Sequence, residues 1–158
     1  FEIPAALRRT ANEFFADPLV KQKAIDIFAK NDKVILIGCG TAHNACLVGK
    51  YVFESVLQLP TDVELASEFR YKNPLVGKGT VVVAVSQSGE TADTISALNL
   101  AKSKGAKTIA ISNVIGSSIT READYSIYTH AGPEIAVAST KAYTSQVVLM
   151  AILAICFF

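Results

Sequence analysis

Three hydroxyl side chains, an amide and a glycine crowd into SQSGET, Ser86 to Thr91, between the apolar run VVVAV and a segment with helical spacing. With a strand before it and a helix after it, this hexapeptide lies at a helix N-terminus. Unsatisfied backbone N–H groups and the positive end of the macrodipole stabilise an anion there without a cationic side chain. Ser86, Ser88 and Thr91 add hydroxyl donors, and Gly89 lets the backbone come close to a ligand. Gln87 adds an amide able to reach a phosphate or a sugar hydroxyl. Phosphate is an anion of the right size. The plainer alternative makes Ser88 or Thr91 an N-cap, contributing about 1 kcal/mol to an ordinary strand-to-helix turn. Three hydroxyls in one turn favour the anion site. The loop holds no Lys or Arg, so it lacks the Gly-Lys-Ser/Thr ending with which a P-loop reaches terminal phosphates and magnesium, and nucleotide triphosphate hydrolysis is disfavoured.

Two further polar loops each lead into a helical segment: GCGTAHNA, Gly38 to Ala45, and AGPEIAVASTKA, Ala131 to Ala142. The first starts like a dinucleotide fingerprint, but His43 occupies the third glycine position. Glu64 falls where a ribose-binding acid would, which keeps NAD as a runner-up ligand. His43 at a helix start reads as a solvent-facing or capping residue more readily than as a general base. Cys39 reads as a small buried side chain rather than a reactive thiol, since no base lies near it in sequence. Glu68 and Arg70 read as a surface pair of little energetic weight. Lys141, a cation in the first turn of a helix, opposes the dipole and calls for a partner such as Glu134, or for a ligand.

The elements that must hold these loops follow from the apolar pattern. Up to about residue 30 the spacing is helical in two segments, Ala6, Leu7, Phe14 and Phe15 and then Val20, Ala24, Ile25, Ile27 and Phe28, separated by Asp17-Pro18. From KVILIGCG onward, strand-like runs (TDVELA, TVVVAV, KTIAIS, YSIYTH) alternate with helices at about Ala42–Leu57, Thr91–Lys104 and Ser139 to the end. Lys102, Lys104 and Gly105 close the middle helix. Such alternation predicts an α/β domain, a doubly wound parallel sheet, whose ligands bind beyond the carboxyl ends of the strands.

The 158 residues are of single-domain size, and the net charge of +1 comes from interspersed acids and bases. With no block of like charge, neither nucleic acid nor membrane is an expected partner. Cys39, Cys46 and Cys156 are odd in number and lack metal-ligand spacing. The expectation is a reducing, cytoplasmic setting and no metal. The N-terminus carries Arg8, Arg9 and Glu13 where a secretory signal would need an apolar core. VVLMAILAICFF is shorter than the roughly 20 residues that span a bilayer and reads as a buried helix with a large contact to something. No initiator Met is present, and the chain is expected to be a fragment of a longer protein.

GCGTAHNA, VELASEFRY, VSQSGETADT, NVIGSS, READ and AGPEIAVASTKAYTSQ, in this order, closely resemble the isomerase domain of the glucosamine-6-phosphate synthases, the glutamine:fructose-6-phosphate aminotransferases. SQSGET alone would indicate only the wider sugar isomerase (SIS) fold; SEFRY with EIAVASTKA narrows the resemblance, which covers nearly the whole chain. It implies that residues 1–158 are a single SIS domain, the first of two SIS halves, with two leading helices and a five-stranded parallel sheet in flavodoxin-like order. It implies an isomerizing aminotransferase that converts fructose 6-phosphate and glutamine to glucosamine 6-phosphate and glutamate, with no cofactor. The 6-phosphate contacts carry over to Ser86, Gln87, Ser88 and Thr91, and sugar contacts to Thr41, Val137 and Ser139. No catalytic residue carries over, because the glutamate base and the Schiff-base lysine belong to the second half. The chain alone is thus expected to be an inactive, phosphate-holding half, packed against a second SIS half or a homodimer partner. Two departures are Ala42, where many members have Ser, and Ala136, where Gly is common. SIS domains also serve as non-catalytic sugar-phosphate sensors in transcriptional regulators, which is the alternative reading; no basic helix-turn-helix accompanies this chain.

Overall fold

The computed structural model describes residues 2–135 and 139–156. Two helices lead, α1 (Ile3–Ala16) and α2 (Pro18–Ala29). The Asp17 carboxylate caps α2 by accepting from Leu19 N at 2.9 Å, and Pro18 takes the first helical position, where its missing N–H costs nothing. Then strand and helix alternate: β1 (Lys33–Gly38), α3 (Thr41–Val52), β2 (Thr61–Leu65), α4 (Ala66–Phe69) and β3 (Thr80–Ser86). The rest comprises α5 (Ala92–Ser103), β4 (Lys107–Ser112), α6 (Ser118–Glu122), β5 (Tyr125–Tyr128) and α7 (Lys141–Ile155).

All five strands are parallel, in the order β2-β1-β3-β4-β5. This is the flavodoxin-like order, and the chain reverses its direction of winding between β1 and β3, the place where such sheets bind ligands. The short apolar runs form strands because both faces are covered. Val34 and Leu36 of β1, Val81, Val83 and Val85 of β3, and Ile109 and Ile111 of β4 pack toward α2, α3 and α7. Ile35, Ile37, Val82, Ala84 and Ala110 point the other way, against α4, α5 and Ile119 of α6. Polar residues alternating with these would strand unpaired groups in one layer or the other.

α1 lies against α7 and reaches the loop after β5 through hydrogen bonds: the Thr10 hydroxyl donates to the Thr129 carbonyl, and Arg9 donates to the Ala131 carbonyl at 3.1 Å. α3 does not end at Val52 but widens into a π turn over Phe53–Leu57, so the helical path reaches Leu57 as the spacing predicts. α7 starts at Lys141, two residues later than expected, and its first amide groups are shared: Glu134 accepts from Ala142 N, and the Ser139 hydroxyl accepts from Tyr143 N. Among the described residues no helix is long and apolar enough to cross a membrane.

Candidate functional site

β1 and β3 are neighbours in the sheet, with Gly38 opposite Val85, so the loops that follow them open side by side. Between them lies a pocket of about 140 Å³ lined by Cys39, Thr41, Ala42, Val85, Ser86, Gln87, Ser88 and Thr91. Five of the residues singled out in the sequence, Thr41, Ser86, Gln87, Ser88 and Thr91, therefore meet in one concavity at the switch point. No charged side chain lines it.

The hydroxyls of SQSGET can be accounted for individually. Ser86 Oγ accepts from Gly89 N at 3.0 Å and lies 3.2 Å from Thr91 Oγ1, so one of those two hydroxyls donates to the other. Ser88 Oγ accepts from Glu90 N at 3.2 Å, and its own proton remains available. Of three O–H donors, one is used within the turn and two are left. Thr91 is the N-cap residue of α5 by backbone position, with extended dihedrals (φ −67°, ψ 110°), yet its side chain makes no capping bond. The capping alternative thus fails for Thr91, and Ser88 bonds an amide ahead of the helix rather than in its first turn. The N–H groups opening α5 have no side-chain cap, which is what an anion-binding helix start requires.

The opposite side of the same turn is held by the β4–α6 loop and the first residues of α6, a support that the sequence reading missed. Asn113 N donates to the Gln87 carbonyl at 3.1 Å, Ile119 N to the Gly89 carbonyl at 3.0 Å, and Ser118 N to the Glu90 carboxylate at 2.8 Å. Hydrogen bonds from the Ser118 side chain and amide hold the Glu90 carboxyl below the usual carboxylate range. Gly89 has φ +70°, and a Cβ there would lie 2.0 Å from Ser117 Oγ and 2.5 Å from Ser117 Cβ. Its absent side chain therefore serves packing against this loop. Across from it, Gly40 has φ +56° with open space around its missing Cβ, so dihedral strain alone selects glycine there.

The remaining candidates sort as follows. Ser139 lies ahead of α7 and does not line the pocket: its hydroxyl donates to Glu134 at 3.2 Å and accepts from Tyr143 N at 3.1 Å. Val137 and Ala136 lie outside the described residues. Lys141 pairs with Glu2, the residue just ahead of α1, not with Glu134, whose carboxylate caps α7 by accepting from Thr140 N and Ala142 N. Arg70 pairs with Asp93 at 3.2 Å and stacks on Tyr71, in place of the expected pair with Glu68. Glu64 pairs with Lys72 and lines a separate hollow beneath β2, so it does not join the pocket as a ribose-binding acid would. The Thr94 hydroxyl lies 3.8 Å from Cys39 Sγ at the pocket edge. Cys46 is fully buried, and loss of solvent pushes its thiol well above the usual range. His43 Nδ1 is buried with no partner among the described residues. No group of three or more His, Cys, Asp and Glu among the described residues could hold a metal ion.

Residues 27–156 match the SIS domain family. A glutamine–fructose-6-phosphate aminotransferase (isomerizing) of Clostridium tetani is 59% identical over 128 residues, 81% of this chain and 21% of that protein. The corresponding protein of Caldanaerobacter subterraneus is 50% identical over 161 residues, 99% of this chain and 26% of its own length. The chain thus spans about a quarter of these relatives. Among solved structures, the C-terminal domain of glucosamine-fructose-6-phosphate aminotransferase from Francisella tularensis superposes with a TM-score of 0.88 at 38% identity, covering 99% of this chain and 46% of that one.

Proposed function

From the premise that the chain belongs to the SIS domain family, we propose that it is the sugar-phosphate-holding half of the isomerase domain of a glutamine:fructose-6-phosphate aminotransferase. The observation that carries this reading is the uncharged pocket at the switch point, where two spare hydroxyl donors converge with the uncapped start of α5. A phosphate dianion suits that set: neutral donors and helix amides stabilise it, and no carboxylate is among the lining residues. Ser86, Ser88, Thr91 and the Gln87 amide hold the 6-phosphate. Thr41, from the loop after β1, reaches the sugar. The sugar contacts expected of Val137 and Ser139 rest on the resemblance alone: Val137 lies outside the described residues, and Ser139 stands off the pocket with its hydroxyl on Glu134. Ala42 offers a methyl group to the pocket, so one hydroxyl contact to the sugar is absent here.

In the whole enzyme fructose 6-phosphate is aminated with ammonia from glutamine, giving glucosamine 6-phosphate and glutamate. Ring opening, imine formation and proton transfer between C1 and C2 need an acid, a base and an amine beside the sugar. None of the groups lining this pocket is of that kind, so its part is binding and orientation, and the chemistry falls to the rest of the relatives' length. Residues 1–158 would then form one SIS domain of a cytoplasmic enzyme, packed on a second SIS half or a second subunit. Identities of 50–59% to aminotransferases favour the enzyme over a regulatory sensor with the same fold.

The test is a calorimetric titration with fructose 6-phosphate and glucosamine 6-phosphate, with NAD as control. Saturable binding of the sugar phosphates is expected, weakened about tenfold by Ser88→Ala, near 1.4 kcal/mol for one lost donor. Binding of NAD alone, or sugar-phosphate binding indifferent to Ser88→Ala, would overturn the assignment.

A further inference from the structure

Glu90 is the one residue of SQSGET whose charge is wrong for an anion site. A carboxylate at the mouth of a phosphate pocket repels the ligand and competes for the same N–H donors. The structure resolves the conflict by turning it away: of the six residues, Ser86, Gln87, Ser88 and Thr91 line the pocket, while Gly89 and Glu90 face the β4–α6 loop. There the Glu90 carboxylate accepts from Ser118 N, the first amide of α6. Ser117, the residue in the N-cap position of α6, makes no capping bond with its own side chain. The cap of α6 is thus supplied by the phosphate turn, a neighbour 28 residues away in sequence.

We propose that Glu90 is a positioning residue for phosphate binding: by capping α6 from across the loop, it fixes the turn in the shape that points Ser86, Ser88 and Thr91 into the pocket. The inference rests on the pocket being the phosphate site. The bond from Ser118 N, the bond from Ile119 N to Gly89 and the bond from Asn113 N to Gln87 form three adjacent rungs between the two loops. The outermost rung alone uses a side chain. It joins the turn to the loop at its α5 end, one residue before Thr91, where a rotation would swing the Thr91 hydroxyl away from Ser86 and the ligand.

Substitution separates positioning from simple repulsion. Glu90→Gln and Glu90→Ala both remove the charge, but only the amide keeps an oxygen that can accept from Ser118 N. Fructose 6-phosphate affinity is expected to fall about tenfold in Glu90→Ala and to stay within about twofold in Glu90→Gln. Were Glu90 only a repelling charge, both variants would bind more tightly, and the proposal would fail; it fails equally if both bind as the parent does. Ser118→Pro removes the donor instead of the acceptor. Proline is tolerated in a first helical position, and Ser117 already has the extended dihedrals that a residue before proline prefers (φ −62°, ψ 163°). This variant should match Glu90→Ala in affinity, and the double variant should lose no more than either.

Absence of binding by the parent chain would count against the pocket itself, and the positioning role would then be read from the amide resonances of Gly89 and Thr91. Their displacement in Glu90→Ala and Ser118→Pro, with recovery in Glu90→Gln, supports it; unmoved resonances overturn it.

Discussion

The turn after β3 and the loop after β5 look alike in composition, both small and hydroxyl-rich and both leading into a helix, but they spend their polar groups differently. In the β3–α5 turn the backbone carbonyls of Gln87 and Gly89 and the Glu90 carboxylate are anchored on the far side, which leaves hydroxyl protons free on the pocket side. In the β5–α7 loop the described residues on either side are anchored. Asn113 accepts from Ala131 N at 2.8 Å and donates to the Gly132 carbonyl at 2.7 Å, and Glu134 takes up Thr140 N, Ala142 N and the Ser139 hydroxyl. Ser139 is therefore already committed when a ligand arrives, whereas Ser88 is not. Asn113 serves both loops, since its own N–H holds Gln87. A preformed turn can bind an anion without first being ordered, which supports the β3–α5 turn as the proposed phosphate contact.

The largest effect separating the two loops is expected from Gly89→Ala. A methyl group 2.0 Å from Ser117 Oγ must displace the β4–α6 loop, and φ +70° adds strain for any residue with a Cβ. Together these cost about 3 kcal/mol or more. Thermal unfolding should show a marked fall in Tm, and sugar-phosphate binding should be lost. Gly40→Ala is the paired control, with a positive φ but open space around the missing Cβ, and its fall in Tm should be smaller. Equal falls would mean that packing against Ser117 contributes nothing beyond the dihedral.

The corresponding change in the other loop is Glu134→Ala, which strips α7 of its carboxylate cap and frees the Ser139 hydroxyl. A cap of this kind is worth about 1 kcal/mol, so the Tm should drop by about 2–4 °C. The drop should be smaller than for Gly89→Ala. Sugar-phosphate affinity should hold or rise, since Ser139 is released from Glu134. A fall in affinity as large as that for Ser88→Ala would show that the β5–α7 loop, not the β3–α5 turn, governs binding.

The sheet and the seven α-helices among the described residues differ in how legibly the chain encodes them. Strands such as TVVVAV are readable because burial on both faces demands an uninterrupted apolar run, and the Asp17-Pro18 boundary because a cap and a first-turn proline act locally. α4 and α6, four and five residues long, are too short to show a helical period, and neither appears in the pattern. The pocket was legible as three hydroxyls before a helix. What supports it was not, because Glu90 and Ser118 lie 28 residues apart and no local rule pairs them. Lys141 shows the same limit: a partner was demanded by its place in the first turn of α7, and Glu134 was the near choice in sequence. The fold instead brings Glu2 from 139 residues away and gives Glu134 the cap.

That exchange of partners makes the two loops differ in acid, the smallest of the expected effects. The carboxyls of Glu2 and Glu90 both lie below the ordinary value of 4.5, Glu2 through its hydrogen bond and charge pairing with Lys141, Glu90 through Ser118. For a depressed carboxylate the stabilisation is complete above the ordinary value and is lost as pH falls through the lowered one. The consequences of protonation are unequal. A neutral Glu90 still has a carbonyl oxygen to accept from Ser118 N, so the β3–α5 turn loses little. A neutral Glu2 leaves Lys141 charged, with its side chain only 11% exposed, at the positive end of α7. Amide exchange followed from pH 6 down to well below the ordinary carboxyl value of 4.5 should therefore show the α1–α7 seam opening before Gly89 and Ser118 lose protection. Glu2→Gln, which keeps a polar acceptor but cannot titrate, should already show the weaker seam at pH 6 and little further change on acidification. Parallel loss in both regions, or an unchanged acid response in Glu2→Gln, would place the acid-sensitive contact elsewhere than at Lys141.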